Sequence, residues 1–283
     1  MFITKKKCIL IIQEYDENMK DLTIVVPLYN KYHYIEQCLA SIKNSVHNLD
    51  WECIVVDDDS TDGSTEVAKE FCNNNYNNFT YIQCLRNHGP YPSYARNIGI
   101  RMAESTFTMF FDADDLMCDG YPERGVKFMK ENPDYYHYSE SFYCVDTEEN
   151  YGGYFEYYSF TPYWGLNDID FPGFLKVGGG AYTRGIFKTD EVKKFRFKDV
   201  LLEDSVFMID YLYPCKRAKL NTDNFSFFYF TCRSEQDDFA LNKLKTDNQM
   251  TDREYIYNYI KTEYPEYYKV FVENNKNYEV EIK

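Results

Sequence analysis

The sequence has 283 residues and a formal net charge of -15, from 31 Lys and Arg against 46 Asp and Glu. That length can bury one large core or two small ones, and 44% apolar with 27% charged residues is ordinary globular chemistry, which excludes disorder as the main state. The acidic balance argues against a chain that works by neutralising nucleic-acid phosphates.

Residues 1–20 read as an N-terminal extension: a KKK run, a short apolar stretch suited to one edge strand, then a polar connection. The apolar stretch Cys8–Ile12 is shorter than a secretory core and far too short to span a bilayer. No signal peptide or transmembrane helix is expected, and the cytoplasm is the expected location. From Leu22 strands and helices alternate. TIVVPLYN is a β-branched strand, followed by Ile35, Cys38, Leu39, Ile42 and Val46 at helical spacing. WECIVV is a second strand running into the acidic turn DDDSTDGS, and Val67, Ala68 and Phe71 mark a short helix. FTYIQCL is a third strand, Ala95, Ile98 and Met102 mark a third helix, and TFTMFF is a fourth strand ending in Asp112-Ala113-Asp114-Asp115.

This βαβαβαβ order predicts an α/β fold, with a mostly parallel central sheet flanked by helices. Ligands of such sheets sit beyond the carboxyl ends of the strands, where this chain places Tyr29, Asn30, Asp57 to Asp59 and Asp112 to Asp115. Residues 134–164 are aromatic-rich and read as two β segments joined by a turn. GFLKVGGGAYTRGIF, a helix over LEDSVFMIDYLYPC and a strand over FSFFYF follow. The tyrosine-rich stretch ending near Pro265 reads as a small helical C-terminal tail.

Four groups of residues could carry chemistry. Asp112, Asp114 and Asp115 repel one another unless a cation or solvent screens them, which suits a hard divalent ion, Mn²⁺ or Mg²⁺, or equally a solvated acidic turn. The carboxylates of VVDDDSTDGS can accept from a nucleobase or ribose, or simply cap the next helix. Arg96 can approach a diphosphate or pair with nearby acids. Glu203 and Asp204 can supply a general base, or serve the helix N-terminus that they precede. Nine Cys, an odd count with no CxxC spacing, and four His without an HExxH or HxxxH pair disfavour a disulfide framework and a zinc hydrolase.

In this order and spacing the motifs resemble the family 2 glycosyltransferases of GT-A (Rossmann-like) fold, over about Leu22 to Arg233. The residues that carry the resemblance are TIVVPLYNKYHYIEQCLASI, ECIVVDDDSTDGS, NHGPYPSYARNIGI, TMFFDADDLM and LLEDSVFMI. Two departures stand out: Asp59 occupies the family's usual Gly position, and one extra residue lies between Gly89 and Ala95. The resemblance implies a GT-A domain over 21–235, with a nucleotide-binding half (21–118) and an acceptor-binding half (119–235), and a helical tail over 236–283. It implies an inverting, metal-dependent transferase that moves a sugar from a nucleotide-sugar donor, a UDP-sugar by preference, to a glycan, lipid-linked or other hydroxyl acceptor. Pro27, Tyr29, Asn30, Asp58, Arg96 and Asp112 would line the donor nucleotide. Asp114, Asp115 and Asp112 would face the Mn²⁺ or Mg²⁺, and Asp204 would be the base. Glu203, Tyr182, Trp164 and Arg233 are candidates for acceptor or phosphate contacts. Peripheral membrane contact and a homo-oligomer are both compatible with this reading. The alternatives are a nucleotide-sugar-binding protein without transfer activity and a nucleotidyltransferase, though PLYNKYHY lacks the latter's glycine-rich phosphate loop.

Overall fold

The structure, a computed structural model, describes residues 19–86, 88–146, 156–160, 168–169, 184–213, 216–230, 252–266 and 268. Among these, the strands are β1 (Leu22–Leu28), β2 (Trp51–Asp57), β3 (Phe79–Gln83), β4 (Phe107–Phe110), β5 (Leu116–Met117), β6 (Tyr135–Asp146), β7 (Glu156–Phe160), β8 (Asp168–Ile169), β9 (Ile186–Lys188) and β10 (Arg217–Phe230). The helices are α1 (Ile35–Ser45), α2 (Ser64–Asn74), α3 (Ser93–Met102), α4 (Tyr121–Glu131), the short α5 (Thr189–Val192), α6 (Glu203–Leu212) and α7 (Asp252–Glu263).

The strands join in one sheet, ordered β3-β2-β1-β4-β9-β6-β10-β5, with β7 on β6 and β8 on β10. β3, β2, β1 and β4 run parallel, as the alternation predicts, and β6 and β10 are also parallel. The sheet is mostly parallel by paired residues, with β9 inserted antiparallel between β4 and β6. Every residue of β1 is buried, because helices cover both of its faces, and this explains why TIVVPL reads as a continuous rather than an alternating apolar run.

Pro27 looks out of place in a central strand, since it cannot donate to the ladder. Its position resolves this. Pairing of β1 with β4 ends at Val25 and Phe110, so Pro27 lies beyond that edge of the ladder while still in register with Val56 on β2. The strands therefore part at their carboxyl ends and open the crevice that holds the site.

Two large cores flank the sheet, beside a small cluster of Ile54, Val56 and Ala95. One packs α1, α2 and α4, including edge-on contacts of Phe79 with Trp51 (5.4 Å) and Phe71 (5.2 Å). The other is largely aromatic: Phe110, Phe187, Phe197, Phe207 and Tyr211 interlock, with Phe197 and Phe207 stacked at 3.9 Å. Part of the aromatic excess is thus core packing beneath α6, where each buried ring contributes about 1.5–3 kcal/mol. α3 closes against β1 only because residue 99 is glycine: a Cβ there would lie 2.1 Å from Val25 Cγ1.

The sequence reading omitted α4. Its apolar positions Tyr121, Gly125, Val126 and Met129 have helical spacing, and Gly120 and Pro122 mark its start, so the signal was present. α7 ends at Glu263, just before Tyr264–Pro265, as a proline stop requires. The edge strand expected within residues 1–18 lies outside the described residues. No helix of the described residues is long and apolar enough to cross a membrane.

Candidate active site

The loop after β1 and the turn after β2 are built as one unit. The backbone N–H groups of Asn30, Lys31 and Tyr32 donate to Ser60 Oγ, Ser64 Oγ and Asp62 Oδ2, at 3.0, 2.8 and 2.9 Å. Asn30, at φ 50°, returns the contact: its Oδ1 accepts from the Thr61 N–H at 2.8 Å. Asn30 thus holds this turn in shape. Asp57 is buried and shapes the turn from below, accepting from Ser60 N (2.9 Å), Thr65 Oγ1 (2.5 Å) and Tyr81 OH (2.5 Å). Asp59 adopts φ 67°, a left-handed conformation that Gly takes freely and that Asp tolerates better than most residues. This is why Asp can stand at the position where the resembled pattern has Gly.

Asp58 points to the crevice wall and is 2% exposed. His88 Nε2 lies 2.8 Å from its Oδ1, and Arg86 Nη1 lies 3.1 Å from its Oδ2. Burial raises the Asp58 pKa above the ordinary carboxylate value, against the pull of His88 and Arg86. Arg86 also lies over the Tyr29 ring at 3.6 Å, so Tyr29, Arg86, Asp58 and His88 form one connected wall. Neither Arg86 nor His88 was singled out from sequence; both are within three residues of the Asn-x-Gly turn, which is the signal that could have found them.

The acidic turn after β4 holds three carboxylates, each paired with a protein cation. Arg96 Nη2 is 2.8 Å from Asp112 Oδ1, and Arg184 Nη2 is 2.5 Å from Asp112 Oδ2. Arg184 Nε also meets Asp115 Oδ2 at 2.8 Å, and Lys31 Nζ meets Asp114 Oδ2 at 2.9 Å. Burial pushes the Asp112 carboxyl up, but Arg184 and Arg96 pull it down further, to about 2. Asp115, 1% exposed, is instead raised, because burial outweighs Arg184 and because Asp114 and Asp112 repel its charge. Arg184 and Lys31 carried no assignment in the sequence reading, since the spacing of acids says nothing of which distant cation meets them.

Arg96 spends both terminal nitrogens on acids: Nη1 lies 2.7 Å from Glu203 Oε1, opposite its contact with Asp112. Arg96 is thus paired with two acids in the structure. One guanidinium, 5% exposed, joins the β4 turn to the start of α6. The residue before α6, Leu202, has φ 55°, an outlier for a bulky side chain that costs on the order of 1–3 kcal/mol. That strain sits directly beside Glu203 and Asp204. Glu203 is pushed up to about 7 by burial and by the adjacent Asp204, with Arg96 opposing. Asp204 is half-buried and forms no ion pair among the described residues; the Ser205 N–H donates to its Oδ1 at 2.6 Å.

The loop before α6 is strapped to α3. Asn97 makes two contacts with the Phe197 backbone (2.8 and 2.9 Å), Ser93 Oγ donates to Lys198 O (2.8 Å), and Gly89 N donates to Asp199 Oδ2 (2.7 Å). Arg96 and Arg184 join Asp112, Asp115 and Glu203, with Asp204 next to Glu203; Lys31 holds Asp114; Arg86 joins Tyr29 to Asp58; and Pro27 and Asn30 lie on β1 and the loop after it. Tyr182, Trp164 and Arg233 lie outside the described residues. No group of three His, Cys, Asp or Glu side chains among the described residues is arranged as a ready cation cage.

Residues 23–180 match the family model described as glycosyl transferase family 2. A poly(ribitol-phosphate) beta-glucosyltransferase from Bacillus spizizenii is 35% identical over 112 residues, which is 39% of this chain and 17% of that protein. The chain spans less than a fifth of the length of the first curated relatives that it matches. Among solved structures, residues 1–349 of S. aureus TarS in complex with UDP superpose with a TM-score of 0.60 at 20% identity, covering 77% of this chain and 62% of that one. A Pyrobaculum calidifontis mannosyltransferase in complex with GDP-Man and Mn²⁺ superposes with a TM-score of 0.54 at 19% identity, covering 77% and 60%. At these identities the superpositions establish the α/β fold of GT-A type.

Proposed function

The chain belongs to glycosyl transferase family 2, and from that premise we propose that it moves a sugar, with inversion, from a UDP-sugar to an acceptor hydroxyl. The observation that carries this reading is the Arg96 bridge. It sets the acids of the β4 turn on one side of a guanidinium and the acids of the α6 start on the other, at 2.8 and 2.7 Å. A donor pocket and a base are thereby held in fixed relation, as in-line displacement needs. UDP and GDP-Man in the superposed neighbours support a nucleotide-sugar donor.

Each residue has a task in this reading. Pro27, Tyr29 and Asp58 hold the base, with Asp58 accepting from a uracil N–H through lone pairs that Arg86 and His88 leave open. Asp112, kept ionised by two guanidiniums, accepts from ribose or sugar hydroxyls. Arg96 orients Asp112 and Glu203 rather than gripping phosphate. Asp204 is the base: unlike Glu203, it has no cation paired with it among the described residues, so it is available to take the acceptor proton.

The donor set also fits a hard divalent ion, Mn²⁺ or Mg²⁺, held through Asp114 as its direct protein ligand. Both oxygens of Asp112 and the inward oxygen of Asp115 are already committed to arginines. A site with one carboxylate, completed by diphosphate oxygens and water, is the usual manner of Mg²⁺ binding in phosphate enzymes. When bound, the ion would neutralise charge on the departing diphosphate. For the acceptor, the related poly(ribitol-phosphate) glucosyltransferase suggests a hydroxyl of a polyol-phosphate or glycan polymer.

The test is UDP release across a UDP-sugar panel with Mn²⁺, comparing wild type with Asp204→Asn. Wild type should turn over at least one donor, and the variant should lose roughly 10²–10⁴-fold in rate with donor binding kept. Absence of release from wild type across the panel, with UDP still bound, would instead indicate a binding protein without transfer activity. NMR of the product's anomeric centre decides inversion.

A further inference from the structure

Three features lie outside the donor and base assignments: the cleft between His88, Tyr94 and Lys194 to Asp199, the Tyr259–Tyr264–Asp210 cluster under α7, and Arg184. The cleft's Lys194 and Lys198 are already paired with Glu191 and Asp210, and the tyrosine cluster is a satisfied packing joint. Arg184 differs from both, because it bridges two acids of the β4 turn.

We infer that Arg184 is a built-in counter-ion that keeps the nucleotide-free site from holding a divalent cation, so that the ion enters together with the diphosphate. This rests on the donor reading proposed above. The geometry is specific. One side chain reaches two carboxylates with two different nitrogens, Nη2 to Asp112 and Nε to Asp115. Its own carbonyl is pinned by the Tyr121 hydroxyl, which donates to it at 3.0 Å.

The charge balance explains the consequence. Four carboxylates, Asp112, Asp114, Asp115 and Glu203, face three cations, Lys31, Arg96 and Arg184, in pairs of 2.5–2.9 Å. The local sign is close to neutral before any ligand arrives. A free divalent ion therefore gains little long-range attraction, and to reach Asp114 it has to displace Lys31. A diphosphate changes both terms. It adds negative charge for the ion, and it offers Lys31 and Arg184 an alternative anionic partner. Ion and nucleotide then favour one another, and linkage requires that each strengthen the other by the same factor.

The experiment titrates Mn²⁺ into the full chain and follows the loss of the free-ion EPR signal, without and with UDP, with the affinity of UDP alone for Mn²⁺ measured as a control. Wild type should bind Mn²⁺ at least about tenfold more tightly with UDP than without, beyond the UDP control. Arg184→Gln should bind Mn²⁺ without nucleotide at least about tenfold more tightly than wild type. Lys31→Gln, which leaves buried Asp115 with its arginine, should shift in the same direction and serves if Arg184→Gln does not fold by circular dichroism. Equal wild-type affinity with and without UDP overturns the inference, as does unchanged nucleotide-free affinity in the folded variants. If UDP does not bind under any metal condition, the donor reading itself fails. If UDP binds but the Mn²⁺ affinities do not move, only the role of Arg184 is lost.

Discussion

Replacing Arg96 with Met removes the guanidinium shared by Asp112 and Glu203 while keeping much of the side chain's bulk. Asp112 retains Arg184, so the carboxylate left without a cation is Glu203. In the wild type, Glu203 titrates near 7 rather than near the ordinary 4.5, so between those values the folded chain holds a proton that the unfolded chain has lost. Stability contributed by this group therefore falls as pH rises from about 4.5 to about 7, and is level above that. Without Arg96 the carboxyl titrates higher still, and the fall continues through the alkaline range. The excess penalty is capped by the work of keeping Glu203 protonated, about 1.4 kcal/mol for each pH unit above 7. At pH 8.5 that is about 2 kcal/mol; at pH 6 it is close to zero, because Glu203 is already protonated in wild type. Lost packing against Phe197, whose ring lies 5.2 Å from the guanidinium, adds a part that does not vary with pH. Urea unfolding at pH 6 and 8.5 measures both parts. A destabilisation equal at the two pH values would refute the claim that Glu203 depends on Arg96 for its charge.

Three further outcomes follow from the packing and the pocket. Gly99→Ala places a methyl 2.1 Å from Val25 Cγ1 and should cost about 1–3 kcal/mol in urea unfolding, with Val25→Ala restoring part of it; additive losses in the double variant would sink the overlap argument. Asp57→Ala strips the partner from Tyr81 OH, Thr65 Oγ1 and Ser60 N, and should destabilise by about 1–3 kcal/mol while weakening UDP binding through the loosened turn. A loss of stability with UDP affinity unchanged, by isothermal titration, would separate that turn from the pocket. Asp58→Asn should weaken UDP binding by roughly tenfold or more, because one charge-assisted acceptor is lost and Arg86 and His88 are freed to move. Unaltered UDP affinity would show that Asp58 serves the wall and not the base.

β1 to β4 and α1 to α3 were legible because each announces itself locally. β1, β2 and β4 are short buried apolar runs, and α1 to α3 repeat apolar residues at helical spacing, so order and direction follow from residues close in sequence. The acids after β2 and β4 were legible for the same reason, since they end those strands, whereas Glu203 and Asp204 open a helix. Their partners were not. Arg184 meets Asp112 across 72 positions and Arg96 meets Glu203 across 107, and no local pattern encodes such a pairing. β10 shows the same limit: FSFFYF signals a strand, but the element runs from Arg217, through polar residues that are held by pairing with β6. α4 has its signal in Tyr121, Val126 and Met129, while Gly125 on the same face packs where a side chain would meet Ile186 and Tyr138.

The strap between α3 and the loop before α6 has a consequence for how the molecule comes into being. Gly89, Ser93 and Asn97 are fastened by Asp199, Lys198 and Phe197, residues synthesised about a hundred positions later. During chain growth from the N-terminus, β1 to β4 can pair as soon as they emerge, but Arg96 waits for Glu203 and Asp112 waits for Arg184. Completion of the crevice thus requires residues of the second half and is not a property of the first half alone. A chain ending before residue 184 carries the β4 acids without Arg184, and Arg96 without Glu203.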